Sequence, residues 1–211
     1  MFRLIFCWSF IASSLLVASA SGQDISSSSS NRIALANKYF ALAEQFHWEA
    51  EFDTTFQYYL KAYEIYKTFK LAKDDISLAR EYFIKGYIFR EEAQYDSSNF
   101  YFENASNIYK TIAERTDDAK VWADYLHCFN EMGRNPPPRG ARTLLEPLQR
   151  SLQVVLKHID ENHKSVAFSF FLIANAYSII GDPDKALLYW QKSLRIWKQL
   201  GLDKSHYGAL N

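Results

Sequence analysis

Between residues 32 and 200 the apolar positions recur at steps of three and four, with polar positions between them. This spacing places the apolar side chains on one face of an α-helix. The pattern predicts eight helices, at residues 32–48, 53–70, 76–94, 97–115, 118–132, 140–159, 163–180 and 183–200. It therefore predicts an all-α fold in which the apolar faces of neighbouring helices meet.

The second helix of each pair carries a repeated motif. "YFENASNIYKT" at 101–111 matches "YYLKAYEIYKT" at 58–68, and "YWQKSL" at 189–194 matches "PLQRSL" at 147–152. The steps are 43 and 42 residues, and a fixed period between 20 and 50 residues is typical of stacked arrays. In each motif a bulky residue precedes a small one by three positions; the pairs are Tyr59/Ala62, Phe102/Ala105, Leu148/Ser151 and Trp190/Ser193. The longest step, of 46 residues from Ala105 to Ser151, contains "RNPPPRG" at 134–140, which predicts an inserted proline loop.

The first helices share a motif of their own, with aromatic residues at both ends and a small residue near the centre. The four copies begin at Tyr39, Tyr82, Trp122 and Phe170. Their small residues, Ala43, Gly86 and Ala174, are expected where the two helices of a hairpin cross. Leu126 occupies this position in the third copy, so we expect the third hairpin to be distorted.

Local signals mark several helix ends. "GDPDKALLYW" places Gly181 after one helix, Asp182 at the N-cap of the next and Pro183 at its first helical position. Asp53 and Asp96 are predicted as caps in equivalent turns, and the pair Asp74-Asp75 is predicted to lie at the surface and at a cap.

Together these motifs resemble the tetratricopeptide repeat. In that family the first helix of each hairpin carries a bulky residue, then Leu-Gly, then Tyr, and the second helix carries a small residue, then a bulky residue, then Ala. The step of 42–43 residues resembles the longer variety found in kinesin light chains and in many bacterial exported or sensory proteins. The resemblance implies an α-α superhelix of about four hairpins, with repeats at about 36–73, 79–116, 119–160 and 167–200. It also implies a non-catalytic scaffold that binds protein or peptide on its concave side.

In this family the first helices line the concave side, where ligand peptides bind. The resemblance places the peptide-binding groove at the inward positions of the four first helices; these are Phe40, Glu44, His47, Arg80, Phe83, Tyr87, Arg90, Asp124, His127, Asn130, Phe171 and Asn175. The alternative is that they are ordinary exposed helix residues. Family members that bind chaperones hold two carboxylates of their ligand in a clamp, which needs lysines and asparagines at these inward positions. Only Asn175 matches, with Arg80 and Lys120 as loose candidates, so binding of an acidic C-terminal tail is not predicted.

The N-terminus has the layout of a secretory signal peptide. Arg3 precedes an apolar run from Leu4 to Val17, and "ASA" at 18–20 offers a small-residue cleavage site. We expect a signal peptide at 1–20, a flexible serine-rich leader at 21–31, and a secreted, periplasmic or cell-envelope protein without a later membrane span. An uncleaved anchor or a buried helix is the alternative. Cleavage removes Cys7 and leaves Cys128 as a single, structural core thiol.

Composition and motifs argue against several function classes. Lysine plus arginine and aspartate plus glutamate are equal, at 24 each, so no basic excess favours nucleic acid. No nucleotide-binding loop, catalytic elbow or metal-ligand spacing occurs, and we expect no catalytic residue, no metal and no cofactor. The densest polar group, His158, Asp160, Glu161 and His163, fits a metal site or a solvated loop between repeats, and the loop is favoured.

The C-terminal residues 201–211 resemble the start of a further repeat, since His206 lies 43 positions after His163. The preceding helix carries Leu187, Trp190, Leu194 and Trp197, and we expect a downstream domain, a partner or a second copy of the chain to cover it. A short frayed tail is the alternative. A second hypothesis for function follows: the chain is the N-terminal sensory or regulatory part of a longer signalling protein or enzyme, such as a histidine kinase or a caspase-like protease.

Overall fold

Eight α-helices form the part of the chain that the computed structural model describes, residues 22–135 and 142–202, and no strand occurs there. They are α1 (Gly22–Trp48), α2 (Phe52–Tyr66), α3 (Ile76–Glu91), α4 (Tyr95–Thr116), α5 (Ala119–Arg134), α6 (Arg142–Val155), α7 (Lys164–Ile180) and α8 (Pro183–Gln199). Consecutive helices pack as the hairpins α1/α2, α3/α4, α5/α6 and α7/α8. The predicted all-α fold and its hairpins are confirmed. The expected signal peptide, most of the proline loop and residues 203–211 lie outside the described residues.

Helix ends differ from the sequence prediction in several places; α2, for example, ends at Tyr66 instead of residue 70, and α6 ends at Val155 instead of residue 159. Helix α1 begins at Gly22 and therefore includes the serine run that we predicted as a flexible leader. Serine lowers helix stability only modestly, and no glycine or proline interrupts the chain between Gln23 and Trp48. Asp53 and Asp96 lie in the first turns of α2 and α4 instead of at the N-caps. Their carboxylates there still favour the positive end of the helix dipole.

Other helix ends follow the local signals. Asp182 caps α8 by accepting a hydrogen bond from the backbone N–H of Lys185, after Gly181 with a left-handed φ of 84°. Asp75 caps α3 in the same way through Ser77, as the sequence indicated. Asp118 and His163 cap α5 and α7, and neither was predicted as a cap.

The second-helix motif has the same structural role in all four hairpins. The bulky residues Tyr59, Phe102 and Leu148 are buried, and Trp190 is half-buried with its Nε1–H donating to Asn175. The small residues three positions later are buried in every copy; these are Ala62, Ala105, Ser151 and Ser193. The repeat read from the sequence therefore corresponds to a repeat in packing.

A stacked pair of rings recurs in three hairpins between the aromatic residue that ends the first-helix motif and the tyrosine preceding the bulky anchor. The ring centroids lie 5.5 Å apart for Phe46 and Tyr58, 5.2 Å for Phe89 and Tyr101, and 5.6 Å for Tyr177 and Tyr189. The third hairpin has Pro147 at this position, so it lacks the stack.

The helix crossing depends on glycine in the second hairpin. A Cβ on Gly86 would lie 2.7 Å from a ring carbon of Phe102, so only glycine lets α3 and α4 approach this closely. In the third hairpin Leu126 fills the equivalent position and is buried. There Leu148 contacts Gly133 instead, two turns further along α5, and α6 packs less extensively on its partner than the other second helices do. The expected distortion of this hairpin is therefore a displaced crossing.

The array curls until its first helix reaches its last hairpin. The Trp48 ring at the end of α1 lies 5.2 Å from that of His127 on α5, 6.1 Å from Phe168 on α7 and 6.2 Å from Trp197 on α8. Trp197 is consequently buried by the described chain itself, whereas the sequence predicted that a downstream domain, a partner or a second copy helps to cover the large apolar residues of α8. Among the described residues, the large apolar side chains that remain open at this end are Ile179, Leu187, Leu188 and Leu200, which are 71%, 55%, 48% and 39% exposed.

None of the helices in the described part of the chain has both the length and the apolar character that crossing a membrane requires.

Candidate binding site: an inner pocket beside a buried charge cluster

The first helices bring six ionisable side chains together on the inner side of the curl. These residues, called the inner charge cluster below, are Glu44, His47, Arg90, His127, Glu131 and Arg134. They come from α1, α3 and α5, and consecutive members of this set are separated by as many as 43 residues in the sequence. Because three different hairpins contribute to it, the cluster forms only when the array curls.

Glu131 is the hub of the cluster and is fully buried. Arg90 donates a hydrogen bond to its Oε2, and Arg134 Nη1 lies 3.2 Å from its Oε1. Oε1 also lies 3.5 Å from His47 Nε2 and 3.4 Å from His127 Nε2. A buried carboxylate is costly unless it is paired, and here two guanidinium groups balance it.

A second carboxylate balances His127. Glu44 Oε2 lies 3.2 Å from His127 Nδ1, and the Glu44 carboxylate also accepts a hydrogen bond from the hydroxyl of Tyr59. Burial opposes ionisation of both partners, yet the nearby imidazole lowers the pKa of Glu44 to about 2, and the carboxylates of Glu44 and Glu131 raise the pKa of His127 to about 9. At neutral pH the two side chains are therefore a buried ion pair.

His47 has the opposite character. Burial, together with the positive charges of His127 and Arg134, lowers the pKa of His47 to about 3 in spite of the Glu131 carboxylate. His47 is therefore a neutral imidazole at neutral pH, and its contact with Glu131 is not an ion pair. Burial also raises the pKa of Glu131, but Arg134 and Arg90 outweigh it and hold that pKa well below its usual range.

His47, His127 and Glu131 place one nitrogen or oxygen each within 4.8 Å of one another, a separation that a metal ion can bridge. The surrounding charges disfavour a divalent cation. Arg90 and Arg134 both donate hydrogen bonds to the Glu131 carboxylate. A bound dication would therefore add two positive charges beside two guanidinium groups. The set therefore fits a network of ion pairs better than a metal centre.

A pocket of about 530 Å³ opens beside the cluster, between α1, α3, α5 and α7. Its residues, called the inner pocket below, include the aromatic side chains Phe40 and Trp48 and a ring of ionisable groups; these are Glu44, Glu49, Arg80, Lys120, Asp124, His127, His163 and Lys164. This size is typical of sites for small ligands or for a few residues of a peptide.

Each acidic side chain of the inner pocket already has a partner. Asp124 lies 3.3 Å from Lys120 Nζ, Glu44 pairs with His127, and Glu49 accepts a hydrogen bond of 3.0 Å from Gln45. Burial raises the pKa of Asp124, although Lys120 opposes this shift. Cations therefore balance Asp124 and Glu44, whereas Glu49 keeps its charge at an exposed position on the rim.

Two cations of the inner pocket have no acidic partner within ion-pair distance among the described residues. Arg80 donates from Nη1 to Asn37 at 2.8 Å, stacks 5.3 Å from the Phe40 ring centre, and has a buried Nε without a hydrogen-bond partner in that part of the chain. Lys164 Nζ lies 4.9 Å from the Trp48 ring centre. Burial lowers the pKa of Lys164, although the more distant carboxylates of Glu44, Asp124 and Glu49 oppose this shift.

The predicted groove residues fall into two groups. Phe40, His47, Phe83, Tyr87, His127 and Asn130 are buried; Glu44, Arg80, Arg90, Asp124, Phe171 and Asn175 are half-buried. Five of the twelve line the inner pocket, namely Phe40, Glu44, Arg80, Asp124 and His127. Phe171 and Asn175 lie outside it, as do Arg90 and Tyr87. Their role in binding peptide stays a prediction.

Several buried members of the predicted groove have structural contacts of their own. Asn130 donates to the Ser165 carbonyl at 2.9 Å and accepts from the Ser169 hydroxyl at 2.7 Å, which ties α5 to α7. The pocket residues Trp48, Lys164 and His163 were not predicted. Two of them, Lys164 and His163, lie at the start of α7, and only the curl of the array brings them to α1.

The polar group at 158–163 disperses in the structure. His158 Nδ1 lies 2.8 Å from Asp117 and its ring stacks on Trp122, whereas His163 caps α7. Glu161 accepts a hydrogen bond from Arg195. These side chains point to different partners, which favours the solvated-loop interpretation over a metal site. Cys128 is buried, as expected for a structural thiol, and burial raises its pKa.

Comparisons with protein-family profiles and with sequences of characterised proteins find no match. Among solved structures, the chain is similar to a protein of Podosopora anserina named as a putative kinesin light chain with nearly identical TPR-like repeats. A form of that protein with a single substitution gives a TM-score of 0.47 at 13% identity, covering 79% of this chain and 76% of that chain. The other form gives 0.45 at 13% identity, covering 78% and 76%. The class of the protein, an all-α array of helical hairpins, follows from its own helices.

The ion pair between Glu44 and His127 predicts a pH dependence of stability. The pKa of His127 is about 9 in the folded chain against an ordinary value of 6.5, so its contribution is complete below pH 6.5 and is lost as the pH rises through 9. We expect the wild-type free energy of unfolding to fall by on the order of 2 kcal/mol over this range relative to His127→Gln. Urea unfolding at pH 6.5 and at pH 9 measures this change in the free energy of unfolding. The variant His158→Gln, which alters the histidine of an exposed pair, is the control. Parallel pH profiles for wild type and His127→Gln would contradict the prediction.

Proposed function

We propose that the protein is an exported, non-catalytic scaffold of the tetratricopeptide-repeat type that binds a protein or peptide on the inner side of its curl. The observation that carries this proposal is the inner pocket, where all four first helices meet around two aromatic walls and a ring of charged groups. Aromatic and arginine side chains at a concave surface are typical energetic anchors for a partner. The repeat motifs shared by the four hairpins support the family assignment.

The accessible part of this surface lies at the rim of the pocket. Gln45, Glu49 and Lys120 are exposed there, whereas most aromatic residues of the predicted groove are buried. A partner is therefore expected to contact the rim and to insert one side chain or chain end into the pocket. Variants at the rim test binding without opening the buried charge cluster.

Selection of peptides from a random display library on the immobilised chain tests the scaffold function. We expect enriched peptides whose affinity falls about tenfold in Lys120→Glu, because a rim charge is reversed. Lys110→Glu, an exposed lysine of α4 outside the pocket, is the matched control and should leave the affinity unchanged. Failure to enrich any peptide, or equal losses in both variants, would argue against a peptide-binding rim.

Export is a separate part of the proposal and rests on residues 1–20. Arg3, the apolar run after it and "ASA" at 18–20 support a cleaved signal peptide. Expression with these residues in a secreting host should yield a mature chain that begins at Ser21, measured by intact mass. A retained Met1 in the exported fraction would favour an anchor instead.

The open apolar side chains near α8 support an additional contact with a downstream domain or a second copy of the chain. Leu187 and Leu188 are about half exposed on α8, close in sequence to the exposed Ile179. The buried Trp197 makes this open face smaller than the sequence predicted. Light scattering across a concentration series, compared with Leu187→Ser plus Leu188→Ser, distinguishes a self-associating chain from a monomer.

A further inference from the structure

The inner pocket contains an unbalanced positive charge against an apolar wall. Two of its three acidic residues, Asp124 and Glu44, are paired with cations, and the third, Glu49, is exposed at the rim. Arg80 and Lys164 have no carboxylate within ion-pair distance among the described residues. Both cations are half-buried, and each lies over an aromatic ring of the same pocket. A buried cation without a counter-charge is costly, and a ligand that brings the counter-charge recovers this cost.

We propose that the inner pocket binds a small organic acid, whose carboxylate pairs with Arg80 and whose apolar body packs on Phe40 and Trp48, with Lys164 adding a second positive charge to the same pocket. This inference rests on the concave side being the binding side, as in the proposed function, but it does not require the ligand to be a protein. The pocket volume of about 530 Å³ accommodates a molecule of this kind.

Arg80 is held in place before a ligand arrives. Asn37 Oδ1 accepts hydrogen bonds from both Arg80 Nη1, at 2.8 Å, and the hydroxyl of Tyr66, at 2.6 Å. The guanidinium group also lies over the Phe40 ring. The guanidinium group is therefore held by a hydrogen bond at one edge and by a ring against one face. It retains N–H donors for a carboxylate, and its side chain loses little conformational entropy when a ligand binds.

The charge pattern selects an anion over a cation at this position. A ligand ammonium group would add to the charges of Arg80, Lys120 and Lys164, while the carboxylates of Asp124 and Glu44 are already paired. The aromatic walls select an apolar body over a strongly hydrated anion such as inorganic phosphate, because the walls cannot replace its water. The chemistry that fits is therefore a carboxylate on a hydrocarbon body.

A carboxylate of this kind has two sources, a free organic acid or the C-terminal residue of a peptide. A panel of matched probes separates the chemistry from its source: phenylacetate and hexanoate, their neutral analogues phenylacetamide and hexanamide, and an Ala-Phe dipeptide with a free or an amidated C-terminus. Binding to the purified full chain is measured by saturation-transfer NMR and calorimetry.

We expect the free acids to bind saturably and each neutral analogue to bind at least about tenfold more weakly. Arg80→Gln and Lys164→Gln should each lower the affinity for the acids by a similar factor. The matched controls Arg150→Gln and Lys110→Gln change exposed cations outside the pocket and should leave affinity within about twofold. Circular dichroism establishes that each variant is folded, and the acid–amide comparison on wild type stands even if one variant is not.

Equal binding of acids and amides, or the absence of saturable binding by every acid of the panel, would overturn the proposal. Preference for the free over the amidated dipeptide supports it with a peptide as the source, and binding of the free acids alone supports it with a small metabolite as the source. Display-selected peptides that bind independently of Arg80 and of their terminal carboxylate would reject this inference and leave the scaffold function standing. Binding of the free acids together with a display selection that enriches no peptide would support this inference and argue against the scaffold function.

Discussion

Glu131→Gln is expected to lower the free energy of unfolding by about 3–5 kcal/mol, because it leaves buried positive charge without its acidic partner. The substitution keeps the shape of the side chain but removes the charge that balances Arg134 and Arg90. Among the residues that the structure describes, Arg90 would then retain one acidic partner, the exposed Glu91, at 3.8 Å. Urea unfolding followed by far-ultraviolet circular dichroism measures the change.

The control for this experiment is Glu103→Gln, which removes the same charge from an exposed position of α4. Substitutions at exposed positions without special contacts usually change stability by less than about 0.5 kcal/mol. A loss below about 1 kcal/mol for Glu131→Gln would show that Glu131 is not the buried hub of the cluster.

Gly86→Leu is expected to lower the free energy of unfolding by about 3 kcal/mol, because the crossing of α3 and α4 has no room for a side chain. Even a Cβ at this position would lie within 2.9 Å of three ring carbons of Phe102. Phe102 is fully buried and cannot rotate away without disturbing Phe83, whose ring centre is 5.2 Å away. Thermal or urea unfolding measures the loss.

Asn107→Leu provides the matched control, since it adds a leucine to an exposed position of α4. We expect a change within about 0.5 kcal/mol there. A stable Gly86→Leu variant would mean that the two helices of the second hairpin cross elsewhere, as they do at Gly133 in the third hairpin.

Features that depend on local spacing could be predicted from the sequence. The helical period, the buried anchors Tyr59 and Phe102, and the close contact at Gly86 all follow from residues less than one repeat apart. The cap at Asp182 likewise depends on neighbouring residues only. Helix ends were less predictable, because serine is compatible with both helix and coil and α1 continues through the serine run.

Features that depend on the curvature of the array could not be predicted. The sequence placed the inward residues of the first helices in an open groove, but Trp48 crosses the inner side and packs on Trp197. The curl brings His47 to Glu131 and Lys164 to Trp48, and no sequence pattern links positions so far apart. Curvature arises from small rotations summed over successive hairpins. The inner pocket and the charge cluster therefore required the structure.

The central claim is that the hairpins curl far enough to close α1 against α5, and the coupling between Glu44 and His127 tests it most directly. These residues are 83 positions apart, and their side chains lie 3.2 Å apart only in the curled array. A double-mutant cycle with Glu44→Gln and His127→Gln, measured by urea unfolding at pH 6.5, should give a coupling energy of at least about 1 kcal/mol. The exposed carboxylate–imidazole pair of Asp117 and His158, at 2.8 Å, serves as the reference and should give less than about 0.5 kcal/mol. A coupling energy near zero for Glu44 and His127 would contradict the closed arrangement.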